Sequence, residues 1–73
     1  MKPVETYVGQ VKCVLVQIPE GMDEYGEHFQ VGDELICDEV KYEHNGSEYV
    51  EYRWVNDPEY YFMPMEVNVI KDV

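Results

Sequence analysis

The sequence predicts a small all-β barrel of five antiparallel strands, formed by a single domain over residues 1–73. Apolar residues alternate with a period of two or occur in short β-branched blocks, which is typical of strands. No stretch keeps helical spacing over two turns. Asn45-Gly46 is the strongest short signal for a hairpin, because a type I′ turn needs a positive φ at both central positions.

The elements follow from these signals in chain order. A first strand over 7–18, apolar on both faces near its end, is predicted to bend, and 19–28 forms a long acidic loop without a period. A turn at Gly32-Asp33 enters a second strand, whose change of phase at Asp38-Glu39 indicates a bulge. This second strand covers 34–44. The elements after it are a third strand over 48–55, a turn over 56–59, a short fourth strand over 60–63, a 3-10 turn over 64–66 and a closing strand over 67–70.

The alternation also predicts which side chains fill the core of this barrel. A chain of 73 residues buries only about 60% of its unfolded surface, so the core is thin. The predicted core residues are Val11, Cys13, Leu15, Val31, Leu35, Val50, Tyr52, Trp54, Phe62 and Val67.

Four short motifs give the chain a resemblance to a known group. They are Val11-Lys12-Cys13 and the segments 29–35, 52–57 and 61–67, the last of which contains Pro64. In this order they resemble the SH3-like barrels of very small phage and prophage proteins. The resemblance implies a scaffold without a shared enzymatic activity. Val67 stands where signalling SH3 domains have a groove tyrosine, so recognition of proline-rich ligands is not carried over.

The net charge of −11 lies entirely in the middle of the chain. Residues 20–59 hold thirteen of the sixteen acids and two of the five bases, and the flanks cancel. Such a field repels phosphate backbones and anionic lipid and attracts basic protein surfaces. We therefore expect no direct binding to nucleic acid or membrane, and we expect a basic host protein as partner.

The chain is expected to be cytoplasmic, in the host cytoplasm if it is phage encoded. No apolar run approaches the ~18 residues of a membrane span, and the opening residues lack the apolar region of a signal peptide. Cys13 and Cys37 are then expected to be reduced and to act as small hydrophobic strand residues.

No residue pattern points to catalysis or to a cofactor. The acids lie in loops and on outward strand positions, and the one serine lies in the predicted hairpin turn. Cys13, His28, Cys37 and His44 have the chemistry of zinc ligands, but not the close pairs that structural sites use. The acidic loop lacks the register of a dedicated calcium site. We expect neither an enzyme nor a metal site.

Protein binding is the remaining function class. Six tyrosines and Trp54 exceed what so small a core can hide, namely Tyr25, Tyr42, Tyr49, Tyr52, Tyr60 and Tyr61. Tyrosine is enriched at interfaces, although it is also simply a good strand residue. Antiparallel pairing about Asn45-Gly46 places Glu43 opposite Glu48, with Glu39 and Glu51 nearby, and like charges opposed across a sheet cost stability. The predicted contact residues are Tyr42, Glu43, Glu48, Tyr49, Glu51, Tyr60 and Tyr61, and Asp23, Glu24 and Glu27 are predicted to steer the approach.

The function predicted from these features is a non-enzymatic acidic module that modulates a basic host protein. If that protein binds nucleic acid, the acids would act as a DNA mimic. The alternative is a structural subunit whose acids only keep it soluble and whose barrel edge docks into a larger assembly. A monomer or a weak homodimer fits either function.

Overall fold

The computed structural model describes residues 3–73 and contains one curled antiparallel sheet. Its elements are β1 (Val4–Leu15), α1 (Asp23–His28), β2 (Glu34–His44), β3 (Ser47–Trp54), β4 (Tyr61–Phe62), a 3-10 turn (Pro64–Glu66) and β5 (Val67–Asp72). The strand order is β4-β3-β2-β1-β5, so β4 and β5 are the two edges. The predicted all-β fold of five antiparallel strands with a 3-10 turn before its last strand is confirmed, and the sheet curls into a half-open barrel.

Turn chemistry sets the bounds of β2, which begins and ends at the predicted residues. Asn45 and Gly46 have φ values of 53° and 78°, as a type I′ turn requires. Gly32 has a φ of 98°, and its N–H donates to the Leu15 carbonyl at 2.7 Å. This bond returns the chain to the end of β1 and starts β2 beside it.

The core lies on the concave face of the sheet, which carries Cys13, Cys37 and Phe62 and is called the inner face below. Seven of the ten predicted core residues are buried, and Val50 and Trp54 are half-buried and pack against that cluster. The prediction of Val31 is wrong, since it is 63% exposed. Val31 precedes the turn at Gly32, where the backbone reverses, and the neighbouring Phe29 takes the place in the core.

The segment 19–28 is not the irregular loop that was predicted, because Asp23–His28 forms the helix α1. A helix of six residues is too short to show a repeating apolar stripe, and alone it would not be stable. Contacts with the sheet hold it in place: Tyr25 and Phe29 are buried, and their rings lie 5.5 and 5.2 Å from that of Phe62. The helix thus covers one end of the half-open barrel.

The predicted bulge in β2 is also wrong. The pairing of β2 with β3 is continuous from Cys37 opposite Trp54 to His44 opposite Ser47. The register shift lies in the facing strand β1, between Tyr7 and Gly9. Val40 is therefore on the convex face of the sheet, called the outer face below, although it is only 6% exposed.

The first strand begins and ends three residues earlier than predicted. Residues 16 and 17 leave the sheet, and their N–H groups donate to the carbonyl of Glu66 in the 3-10 turn at 2.8 and 3.2 Å. The Glu66 carboxylate in turn accepts a hydrogen bond from the Met63 N–H at 2.8 Å. These bonds tie the end of β1 to the 3-10 turn.

Candidate functional site

The β2–β3 hairpin has the register that the sequence predicted. Glu43 pairs directly with Glu48, and Tyr42 pairs with Tyr49. Because neighbouring strand residues point to opposite faces, these two pairs lie on opposite sides of the sheet. The pairing places the tyrosines on the outer face with Val40, and the two glutamates on the inner side, beyond the buried core.

The predicted contact residues are thus divided among three places. Tyr42, Tyr49, Glu51 and Tyr61 share the outer face, since Glu51 pairs with Val40 and Tyr61 pairs with Arg53. Glu43 and Glu48 lie at the hairpin tip on the inner side. Tyr60 lies at the opposite end of the molecule, against α1.

The outer face presents a stacked pair of aromatic rings. Tyr42 and Tyr49 stack with centroids 5.3 Å apart and an interplanar angle of 26°. Tyr49 is 44% exposed, whereas Tyr42 is half-buried. Partial removal from water raises the pKa of Tyr42, and the negative charge of Glu51 raises it further. Each ring packs against the other, which restricts its rotation and reduces the side-chain entropy that is lost on binding.

Arg53 occupies the centre of this face and is held by two carboxylates. Its Nη2 lies 2.8 Å from Glu5 Oε1, and its Nε lies 3.0 Å from Glu51 Oε2. The hydrogen bond and the positive charge of Arg53 lower the pKa of Glu5. The same bond to Glu5 is the largest cause of the raised pKa of Arg53.

The sequence analysis missed several residues of this face. Tyr7 is 60% exposed and its hydroxyl lies 3.4 Å from Asp38 Oδ1, to which it donates a hydrogen bond. Val40 lies between Tyr7 and Glu51 in the sheet register. The signal was present in the sequence, because Val40 and Tyr42 are out of phase with Leu35 and Cys37, but it was interpreted as a bulge.

A shallow groove of about 280 Å³ lies on the inner side of the hairpin tip. It is lined by Val4, Thr6, Lys41, Tyr42, Glu43 and Glu48. The Lys41 ammonium lies 3.9 Å from Glu48, at the limit of an ion pair, with both side chains at least half exposed. Such an exposed pair contributes about 0–1 kcal/mol, which is comparable to the cost of placing Glu43 opposite Glu48.

The predicted steering residues all lie on α1, where Asp23, Glu24 and Glu27 are exposed. Glu24 also has a structural contact, because it accepts a hydrogen bond of 2.8 Å from the Tyr60 hydroxyl. This bond and the carboxylate charge raise the pKa of Tyr60 to about 12. Tyr60 packs against Tyr25 and Phe29, with ring centroids at 5.1 and 5.5 Å, so its main contacts are with the core cluster.

The two cysteines are free thiols in the core, and both are completely buried. They lie on the same face of adjacent strands, because Cys13 pairs with Leu35 and Cys37 with Val11. The hydrogen bond between the two thiols raises the pKa of Cys37, and burial adds to the rise. Cys37 therefore keeps its proton and is a packing residue and a poor nucleophile.

The part of the chain that the structure describes brings together no group of three or more His, Cys, Asp or Glu side chains that could hold a metal ion. His28 instead lies beside the ring of Tyr60, at 5.3 Å between centroids, and His44 is exposed at the hairpin tip. No helix within residues 3–73 has the length and the apolar character to cross a membrane.

Comparison with known proteins adds no relative. No protein-family model matches the chain, and neither a curated protein nor a solved structure shows significant similarity to it.

Proposed function

We propose that this chain is a non-enzymatic acidic binding module that engages a basic protein through the β2–β3 hairpin and the outer face beside it. The observation that carries the proposal is the direct pairing of Glu43 with Glu48. Like charges opposed in this way cost up to ~1 kcal/mol. A cation supplied by a partner would convert this repulsion into attraction.

The exposed tyrosines support the second part of this surface, on the side of the sheet opposite to the paired glutamates. Tyr49 and Tyr61 are 44% and 39% exposed on the outer face. Tyrosine supplies a large, amphipathic contact area with few rotatable bonds, and it is frequent among residues that dominate binding energy. Rings and carboxylates on one hairpin suit a partner that offers both apolar stems and positive charge, as lysine and arginine side chains do.

The charge distribution supports a basic protein as the class of partner. A net charge of −11 with thirteen acids in residues 20–59 favours a basic protein in the cytoplasm over nucleic acid or a membrane. A nucleic-acid-binding protein is one such partner, and the module would then inhibit it as a DNA mimic. Encoding by a phage or prophage rests on the resemblance of the four short motifs alone.

Affinity capture with tagged protein from cells that express it tests this proposal. A partner of the acidic surface is expected to be basic, to bind at 50 mM salt and to be released near 500 mM, because salt screens exposed charges. With the purified partner, Glu43→Gln combined with Glu48→Gln should accelerate dissociation, whereas Asp23→Asn combined with Glu27→Gln should mainly slow association.

A matched control separates the hairpin from the general field of the protein. Glu20→Gln combined with Glu59→Gln removes the same two charges from exposed positions away from the hairpin. If this control weakens the complex as much as the hairpin variant does, the hairpin is not the contact surface. A captured partner that is acidic, or a complex that is insensitive to salt, would contradict the proposed function itself.

The uncovered edge of β5 favours a second candidate, a structural subunit that docks by strand addition. Within residues 3–73, β5 pairs only with β1, so its other hydrogen-bonding edge has no partner strand. Val69 and Ile70 of this strand are 44% and 50% exposed. The β4 edge differs, because the Tyr25 hydroxyl donates to the Tyr61 carbonyl and accepts from the Tyr61 N–H, at 3.2 and 3.1 Å. Docking at β5 through backbone hydrogen bonds would hardly respond to salt.

A further inference from the structure

Deepening the proposed function, on which this step rests, we infer that the outer face selects arginine over lysine and that its partner presents an arginine-rich segment. The surface consists of Tyr7, Tyr42, Tyr49 and Tyr61, with Glu5, Asp38 and Glu51 between them and Arg53 at its centre. It combines aromatic rings with an excess of carboxylates on the convex face of the sheet.

The chain's own Arg53 shows that this face can hold a guanidinium. Glu5 accepts from both terminal nitrogens of Arg53, at 2.8 Å for Nη2 and 3.5 Å for Nη1, and Glu51 accepts from Nε at 3.0 Å. Arg53 also lies directly opposite Tyr61 in the β3–β4 register. Carboxylates on two sides and an adjacent aromatic residue are the environment that a planar guanidinium prefers.

The stacked rings of Tyr42 and Tyr49 offer a second position with similar chemistry. Tyr49 exposes 44% of its surface, and the carboxylate of Glu51 is close enough to both Tyr42 and Arg53 to influence them. A guanidinium is weakly hydrated and stacks on aromatic rings, whereas an ammonium is strongly hydrated and acts as a point charge. The face therefore discriminates between two cations that an acidic surface without rings would bind alike.

The charge balance of the face agrees with a cationic occupant. Three carboxylates, from Glu5, Asp38 and Glu51, surround the single guanidinium of Arg53, so an excess of negative charge remains. The opposed pair of Glu43 and Glu48 adds to it at the tip of the same hairpin. A segment with several arginines can place one on the tyrosine pair and others beside the tip.

Octa-arginine and octa-lysine provide a direct test, because the peptides have equal charge and need no identified partner. Isothermal titration of the full chain at about 150 mM salt should give an affinity for octa-arginine ~tenfold above that for octa-lysine. The variant Tyr42→Leu with Tyr49→Leu keeps an apolar surface without rings and should reduce this preference to about twofold or less. The single variant Tyr49→Leu, at the more exposed ring, serves if the double variant folds poorly.

The charge variant is the matched control for the aromatic variant. The double variant Glu43→Gln with Glu48→Gln should lower the affinity for both peptides by a similar factor, because it removes charge without removing rings. The preference for arginine should therefore remain. Equal affinity for the two peptides, or a preference that survives the loss of both tyrosines, overturns this inference while leaving an acidic binding module in place. Failure of both peptides to bind contradicts the inference and the proposed function together.

Discussion

The two ends of this barrel use aromatic residues in opposite ways. At the α1 end, Tyr25, Phe29 and Phe62 pack with tilted or edge-to-face rings, and each is less than 10% exposed. At the hairpin end, Tyr42 and Tyr49 stack on the outer face, and Tyr49 keeps nearly half of its surface exposed. One cluster closes the core, and the other presents rings to solvent.

This contrast shows that the function of a tyrosine in so small a fold depends on what lies beneath it. The α1 rings cover the open end of the barrel, where they replace the contacts that a longer sheet would supply. The hairpin rings lie instead on the outer face with Val40, on the side of the sheet opposite to the core cluster. The α1 end should therefore determine stability, and the hairpin end should determine binding.

The largest expected effect comes from removing one aromatic ring at each end of the barrel. Phe62 is completely buried at the centre of the α1 cluster, so Phe62→Ala should cost ~3–5 kcal/mol, most of the stability of a domain of this size. Tyr49→Ala should cost less than ~1 kcal/mol, because its ring is already half exposed. Urea denaturation followed by tryptophan fluorescence measures both changes. Similar losses for the two variants would show that the hairpin rings are also structural.

The fold followed from the sequence where a feature depended on local chemistry. The turn at Asn45-Gly46 requires backbone conformations that few residue pairs allow, and it set the hairpin register and hence the opposition of Glu43 and Glu48. The bounds of β2 and the 3-10 turn after Met63 followed in the same way, from glycine and proline signals.

The features that the sequence did not predict depend on contacts between distant segments. The helix α1 has no repeat long enough to detect and exists because Tyr25 and Phe29 reach the core. The change of phase between Cys37 and Val40 gives the same sequence pattern in two cases. Either β2 contains a bulge, or apolar residues of a regular strand lie on the outer face. Only the partner strand distinguishes these cases, and here the irregularity lies in β1. The outer face was therefore predicted in part, with Tyr7 and Arg53 missed.

A smaller effect is expected from the charges at the hairpin end, where repulsion between Glu43 and Glu48 should destabilise the free protein. Glu43→Gln should stabilise the isolated domain by up to ~1 kcal/mol, because it removes the repulsion with Glu48. Glu48→Gln should stabilise less, because it also removes the ion pair with Lys41 at 3.9 Å. Urea denaturation at 50 and 500 mM salt is the measurement, and the difference between parent and variant should shrink as salt screens the pair. Destabilisation by Glu43→Gln would show that the opposed carboxylates are not a cost in the free protein.

The last test concerns a hydrogen bond that joins Glu24 of α1 to the aromatic cluster at the same end of the barrel. The hydrogen bond to Glu24, together with burial and the carboxylate charge, raises the pKa of Tyr60 to about 12, against about 10 for an unfolded tyrosine. The raised pKa favours the protonated phenol in the folded state, so its contribution to stability is complete below pH 10 and is lost as the pH rises toward 12.

The chain has other tyrosines, so the test compares two variants that differ only at Glu24. Glu24→Gln keeps an acceptor but removes the charge, and it should lower the pKa of Tyr60 and flatten the fall in stability above pH 10. A phenolate absorbance titration combined with urea midpoints measures both quantities. If Glu24→Gln and the parent lose stability in parallel, Glu24 does not stabilise the α1 end and remains available, with Asp23 and Glu27, for steering a basic partner.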